Sequence, residues 1–183
     1  MTAFEEIKTP FIVGIDPGYR KSGMVIIKDG IIHTANAEKP NNDLVVSLSD
    51  FHNYFDGNGI VAIETMVYGY GPRIGKETFR TCEWAGRFHQ ASVWPVMRIS
   101  RQAIKTFICG SSASTDAGVR FAIRQLFSAS GGGKFPEFGI KKKPGPLYGL
   151  KSHAIQALAA AIACIGIKHN LRYARQFNQL KIF

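Results

Sequence analysis

Acidic residues are scarce in this chain and absent from its last quarter. Thirteen Asp and Glu stand against 23 Lys and Arg over 183 residues, a formal net charge of +10, and none follows Glu137. So basic a balance favours a polyanionic partner, of which nucleic acid is the commonest. Cysteine is also rare. Cys82, Cys109 and Cys164 lie far apart and form no CxxC pair, which argues against a zinc cage or a disulfide framework. Each reads as a small apolar core residue in a reducing compartment, so the expected location is the cytoplasm of a bacterial cell or a phage-infected host. No run of about 18 apolar residues exists to cross a membrane, and no basic amphipathic segment suggests one lying on its surface. The first ten residues, MTAFEEIKTP, hold two glutamates and lack the basic and apolar regions of a signal peptide.

What remains is ordinary globular material, 45% hydrophobic, long enough for one well-buried domain over 1–183 and short for two. Phe11, Ile12, Val13 and Ile15 predict a buried strand that runs into Asp16-Pro17-Gly18. Met24–Lys28 and Ile31–Ala35 predict two strands joined by Asp29-Gly30, a strong hairpin signal. Asn41 or Asn42 can cap a helix to about Phe55, with Leu44, Val45, Leu48 and Phe51 on one face. GIVAIET predicts another buried strand ending at Glu64. Lys76 to about Ser92 reads as helix and PVMRI as a short strand. Ser100 and Thr115 cap two further helices. Residues 129–151 form a loop rich in Gly, Lys and Pro. An Ala-rich helix, SHAIQALAAAIACIGIK, follows Ser152 as its N-cap, and a basic tail covers 169–183. No internal repeat is present. A meander followed by strand–helix alternation predicts an α/β domain: one mixed sheet, a three-strand antiparallel meander plus parallel strands, flanked by helices.

With FIVGID and IVAIET parallel and adjacent, Asp16 and Glu64 would meet at one edge of the sheet. Each has an ordinary reading as a turn former or a strand-end acid in a surface ion pair. Together they repel unless a proton or cation lies between them, and Mg²⁺, which takes oxygen ligands, fits that place. The Ala-rich helix carries His153 in its first turn and Gln156 three residues on, on the same face. Ala157 and Ala160 continue that face and would allow a close approach to the sheet.

The segments GIDPG, IETMV and SHAIQALAAAI, with AGRFHQASVWPVMRISRQAIKTFICG and VRFAIRQLF between them, resemble the RuvC-type Holliday junction resolvases of the RNase H-like superfamily, and a phage-type member in particular. The similarity covers roughly residues 11–167. It implies an RNase H-like fold and a metal-dependent endodeoxyribonuclease, a homodimer that nicks branched DNA, with Mg²⁺ or Mn²⁺ as cofactor. By the same resemblance Asp16 matches the first metal-binding aspartate and Glu64 the second acid, and His153 stands where the family has Asp or His. Asp16 would bridge two divalent ions, with Glu64 and His153 as further metal ligands holding or orienting one ion or its water, or with His153 as a general base. Gln156 stands where the last catalytic aspartate is usual. That departure keeps a carbonyl oxygen and loses a charge. Asp116 replaces a lysine often found to contact DNA.

For DNA contacts, the resemblance places MVYGYGPRIGK inside the junction, where Tyr68 or Tyr70 would stack on bases and Arg73 and Lys76 would meet phosphates. Arg101 and Lys105 match basic DNA-contacting positions. The loop lysines Lys141, Lys142 and Lys143, with Lys134 and Lys151, form a basic stretch leading into the His153 helix. Phe79, Cys82, Trp84, Phe88 and His89 on the Lys76–Ser92 helix are either a dimer interface or core. Two other readings are open. One is a junction-binding protein whose nuclease site has weakened through Gln156. The other is an actin-like ATPase, which shares the strand-turn start but whose two lobes need a far longer chain.

Overall fold

The structure, a computed structural model, describes residues 11–54, 59–66 and 75–176. Five strands form one sheet in the order β3-β2-β1-β4-β5. They are β1 Phe11–Asp16, β2 Lys21–Lys28, β3 Ile31–Pro40, β4 Gly59–Thr65 and β5 Val96–Ser100. β1, β2 and β3 pair antiparallel, whereas β1 with β4 and β4 with β5 pair parallel. The helices are α1 Asn41–Tyr54, α2 Lys76–Ala91, α3 Arg101–Cys109, α4 Asp116–Arg124 and α5 Ser152–Lys168. A small hairpin, β6 Gly139–Ile140 with β7 Lys143–Pro144, lies within the basic loop, and a 3-10 turn, Ala174–Gln176, follows α5. This is the predicted mixed sheet flanked by helices.

Side-chain alternation divides the strands between two cores. Phe11, Val13 and Ile15 of β1 and Val61 and Ile63 of β4 pack with Leu44, Leu48, Phe51 and Phe88 of α1 and α2. Ile12 of β1 and Ile60 and Ala62 of β4 pack on the other side, with α3, α4 and α5. That second face also receives Gly14. A Cβ there would lie 2.0 Å from the Ala157 carbonyl oxygen, and one at Gly23 of β2 would lie 2.3 Å from that of His153. These two glycines let α5 rest directly on β1 and β2. The expected close approach of the Ala-rich helix is therefore real, but half of it is provided by the sheet.

The predicted turns and caps are mostly as read. Asp29 (φ 51°) and Gly30 (φ 73°) both occupy the left-handed region, as a tight hairpin turn requires. Ser100 Oγ accepts from the Ala103 N–H and Thr115 Oγ1 from the Gly118 N–H, capping α3 and α4. One cap is corrected. Ser152 is the first residue of α5 rather than its N-cap; Lys151 holds the cap position and makes no side-chain cap hydrogen bond. Cys82 is corrected too: it is exposed on α2, while Cys164 is buried and Cys109 half-buried. No helix among the described residues is long and apolar enough to cross a membrane.

Candidate active site

Parity places the two acids. Ile12, Gly14 and Asp16 alternate onto the α5 side of β1, as Ile60, Ala62 and Glu64 do on β4. Ile15 pairs with Ile63 in the parallel register, so the next residue of each strand is an acid at the same rim. Both are buried, Asp16 at 6% exposure and Glu64 at 7%. Their mutual repulsion is felt: burial first, and then the Asp16 charge, push the Glu64 carboxyl up to about 7, against the opposing pull of Arg101.

The turn after Asp16 is fastened rather than loose. Ser22 Oγ accepts from the Gly18 N–H at 3.0 Å and donates to Asn41 Oδ1 at 2.7 Å. Asn41 Nδ2 donates to the Gly18 carbonyl at 2.9 Å. The Asn41 that the sequence offers as a helix cap thus clips the Asp-Pro-Gly turn to the start of α1. With Ser22 and Asn41 both buried, this polar network is satisfied internally.

α5 brings in the third group. His153 Nδ1 lies 2.6 Å from Asp16 Oδ2. That hydrogen bond raises the His153 pKa above its ordinary value, with burial opposing and the Asp16 charge assisting. Gln156, one helical turn on, lines the same cleft of about 630 Å³ as Asp16, His153, Arg101 and Asp116. A smaller cavity of about 340 Å³ opens beside it and is bordered by Asp16, Glu64, Arg98 and Arg101. All four predicted catalytic residues therefore converge at one rim.

Sequence reasoning did not anticipate the role of Arg101. Its Nη1 lies 2.5 Å from Glu64 Oε1 and its Nη2 2.7 Å from Asp116 Oδ1. Lys105 Nζ reaches the same Asp116 oxygen at 3.4 Å. Two residues expected to face DNA are thus engaged with carboxylates, and Asp116 joins them. The available signal was Asp116, an acid at a position that the resemblance gives to a lysine, opposite the two cations Arg101 and Lys105 of the preceding helix α3.

The other basic residues are placed as follows. Lys76 is exposed at the start of α2, and Lys141, Lys142, Lys143 and Lys151 are exposed around the β6–β7 hairpin and before α5. Tyr68, Tyr70 and Arg73 lie outside the described residues. On α2, Phe88 is fully buried and stacks with half-buried Trp84 at 5.9 Å, so those two are core. Phe79, at 66% exposure, and exposed Cys82 and His89 point away from it.

The donor set can be tested against a divalent cation. Glu64 Oε2 is buried without a hydrogen-bond partner among the described residues. Such an oxygen costs about 1–3 kcal/mol unless something coordinates it. Asp16 adds a second carboxylate at the same rim and Gln156 a neutral carbonyl. Among the described residues no cluster of three His, Cys, Asp or Glu is gathered at ligand spacing. The residues fit one oxygen-coordinated divalent ion held by two acids, fewer than a tightly binding cage would supply.

No family model matches the chain, and no curated protein does. Solved structures do. RuvC from Thermus thermophilus superposes with a TM-score of 0.58 at 13% identity, over 89% of this chain and 98% of that one. T. thermophilus RuvC in complex with a Holliday junction substrate gives 0.59 at 15%, over 88% and 96%. The yeast mitochondrial Holliday junction resolvase Ydc2 gives 0.51 at 16%, over 95% and 89%. At such identities the likeness speaks for the backbone alone: with its β3-β2-β1-β4-β5 sheet flanked by helices, this chain has the α/β, RNase H-like fold of these RuvC and Ydc2 structures.

Proposed function

We propose that the chain is a divalent-cation-dependent endonuclease that resolves four-way or otherwise branched DNA by paired nicks. The observation that carries this reading is the meeting of Asp16 and Glu64, from parallel neighbouring strands, at a rim where two adjoining cavities share Asp16, one also lined by Glu64 and the other by His153 and Gln156 of α5. It is supported by similarity to solved structures that include RuvC with a Holliday junction substrate and by the net charge of +10.

Asp16 and Glu64 would hold the cation, Mg²⁺ or Mn²⁺, with Gln156 as a neutral ligand or an amide donor beside it. When bound, such ions activate water near neutral pH and neutralise charge on the attacking and leaving oxygens. The chain's own contribution is positional. His153 would fix the Asp16 carboxylate through Nδ1, the hydrogen bond that also raises the His153 pKa above its ordinary value. The exposed lysines of the β6–β7 hairpin, with Lys76 and Lys151, would meet backbone phosphates. Tyr68 and Tyr70 would stack on bases and Arg73 would pair with phosphate.

Two matched cuts in a near-symmetric junction require two matched sites, which a closed homodimer supplies. Phe79, Cys82 and His89 on the outer side of α2 are the surface assigned to it. Sedimentation at high concentration should show a dimer, and a monomer there would remove this part of the reading.

The decisive experiment incubates a synthetic four-way junction with Mg²⁺ or Mn²⁺ and compares the natural chain with Asp16→Asn. Paired nicks by the natural chain alone are expected; the same products from both proteins would overturn the assignment. One observation favours a second reading, a junction-binding protein with a weakened nuclease site: Gln156 leaves the cleft one carboxylate short. Tight junction binding without cleavage under any divalent ion would select it.

A further inference from the structure

Arg101 sits between two carboxylates and satisfies neither fully. Toward Glu64 it offers a single contact, Nη1 to Oε1 at 2.5 Å, and leaves Oε2 buried and unpartnered among the described residues. Toward Asp116 it offers Nη2 at 2.7 Å. A guanidinium binds a carboxylate best with two parallel N–H donors on one acid. Dividing the fork between two acids gives up that geometry on both sides. Asp116 also has Lys105 at 3.4 Å, so Glu64–Arg101–Asp116 runs from the buried rim to an exposed acid that a second cation also holds.

Arg101 also has space beside it. It is the first residue of α3, immediately after β5, and its side chain is 37% exposed where it borders both cavities. Glu64, by contrast, is fixed in a central strand. We propose that Arg101 is a displaceable internal cation: it competes with a divalent ion for Glu64 and gives way to that ion by moving onto Asp116. Arg101 is then a positioning residue that sets how readily the rim takes up metal, and Asp116 is its receiver. The inference rests on the reading of Asp16 and Glu64 as a divalent-cation site.

The test measures Mn²⁺ binding to the full chain without DNA, from the electron paramagnetic resonance signal of free Mn²⁺, so no cleavage is required. Arg101→Gln is expected to bind Mn²⁺ about fivefold more tightly than the natural chain, and Arg101→Lys, which cannot span both acids, by a smaller factor in the same direction. Arg98→Gln removes the same charge from the border of the smaller cavity without touching Glu64, and is expected to stay within about twofold. Equal gains for Arg98→Gln and Arg101→Gln would reduce the effect to general field and overturn the proposal, as would an unchanged affinity in Arg101→Gln. If Arg101→Gln does not fold, Arg101→Lys against Arg98→Gln decides by the same comparison. Asp16→Asn separates the two levels. If it loses Mn²⁺ binding while the Arg101 variants match the natural chain, the Arg101 inference alone falls; if it binds Mn²⁺ like the natural chain, the cation site and the inference fall together.

Discussion

The rim that carries Asp16 and Glu64 and the hairpin that carries Lys141, Lys142 and Lys143 are held in place by opposite means. At the rim Asp16, Glu64 and His153 are set by buried features: strand parity, the Ser22–Asn41 clip, and the two glycines that let α5 approach. The hairpin has two residues in each strand, and its lysines stand in solvent. It is anchored from below, where Glu137 pairs with Arg124 at 3.1 Å and Gly145 lies against the backbone of Pro136 and Glu137. The contrast fits the two tasks proposed for them. Positioning reactive atoms tolerates little movement, whereas phosphate binding needs charge more than exact placement.

The largest effect that would break this contrast comes from Gly23→Ala. The new Cβ would meet the His153 carbonyl, and that backbone can yield only by lifting α5. A loss of about 3 kcal/mol in urea unfolding is expected, with cleavage lost as His153 leaves Asp16. A variant of natural stability and activity would show that α5 is not fixed by this contact.

Next in size is a pH effect confined to the rim. Glu64, raised to about 7 from an ordinary 4.5, keeps a proton when folded that the unfolded chain has already released. Stability therefore falls as pH rises from about 4.5 to 7, by at most on the order of 3 kcal/mol. His153 adds to the same slope: the stability it gains from Asp16 is complete below 6.5 and is lost as pH rises through its raised folded value. Denaturation in EDTA across pH 5–8 should show the fall, and a rise would reverse the assignment. Mn²⁺ should flatten the slope by binding the ionised carboxylates.

Gln156→Asp sharpens the contrast from the site side. One more carboxylate in the cleft is expected to tighten Mn²⁺ binding about tenfold, within the range of a close charge pair partly screened by water, and isothermal titration would read it. No change would place residue 156 outside the coordination shell.

The smallest structural effect belongs to the hairpin. Replacing Lys141, Lys142 and Lys143 by Ala should leave stability within about 0.5 kcal/mol. The salt dependence of junction binding should become shallower by roughly 0.9 for each phosphate that is no longer neutralised. An unchanged salt slope would remove these lysines from the DNA surface.

Much of the fold was legible because its signals are local. Asp29-Gly30, the Ser100 and Thr115 caps, and the apolar runs of β1 and β4 each specify their own element. The meeting of Asp16, Glu64, His153 and Gln156 was legible through strand order, parity and helical spacing. The rest depended on long-range packing. Nothing local distinguishes Gly14 and Gly23 from ordinary strand glycines until α5 lies across them. Asn41 reads equally well as a cap, and only the fold brings it to Gly18, 23 residues earlier. Arg101 resembles any basic residue at the start of a helix, and its two acids lie 37 residues before it and 15 after.

The pairing of β1 with β4 has a consequence beyond holding the sheet together. Because successive side chains face opposite ways, sliding either strand by a single residue would carry its acid through the sheet to the side of α1 and α2, and the two acids would be divided by the layer that now unites them. Alignment between these two strands is thus itself a component of the proposed site, and insertions or deletions within them should abolish divalent-cation binding even where the sheet survives.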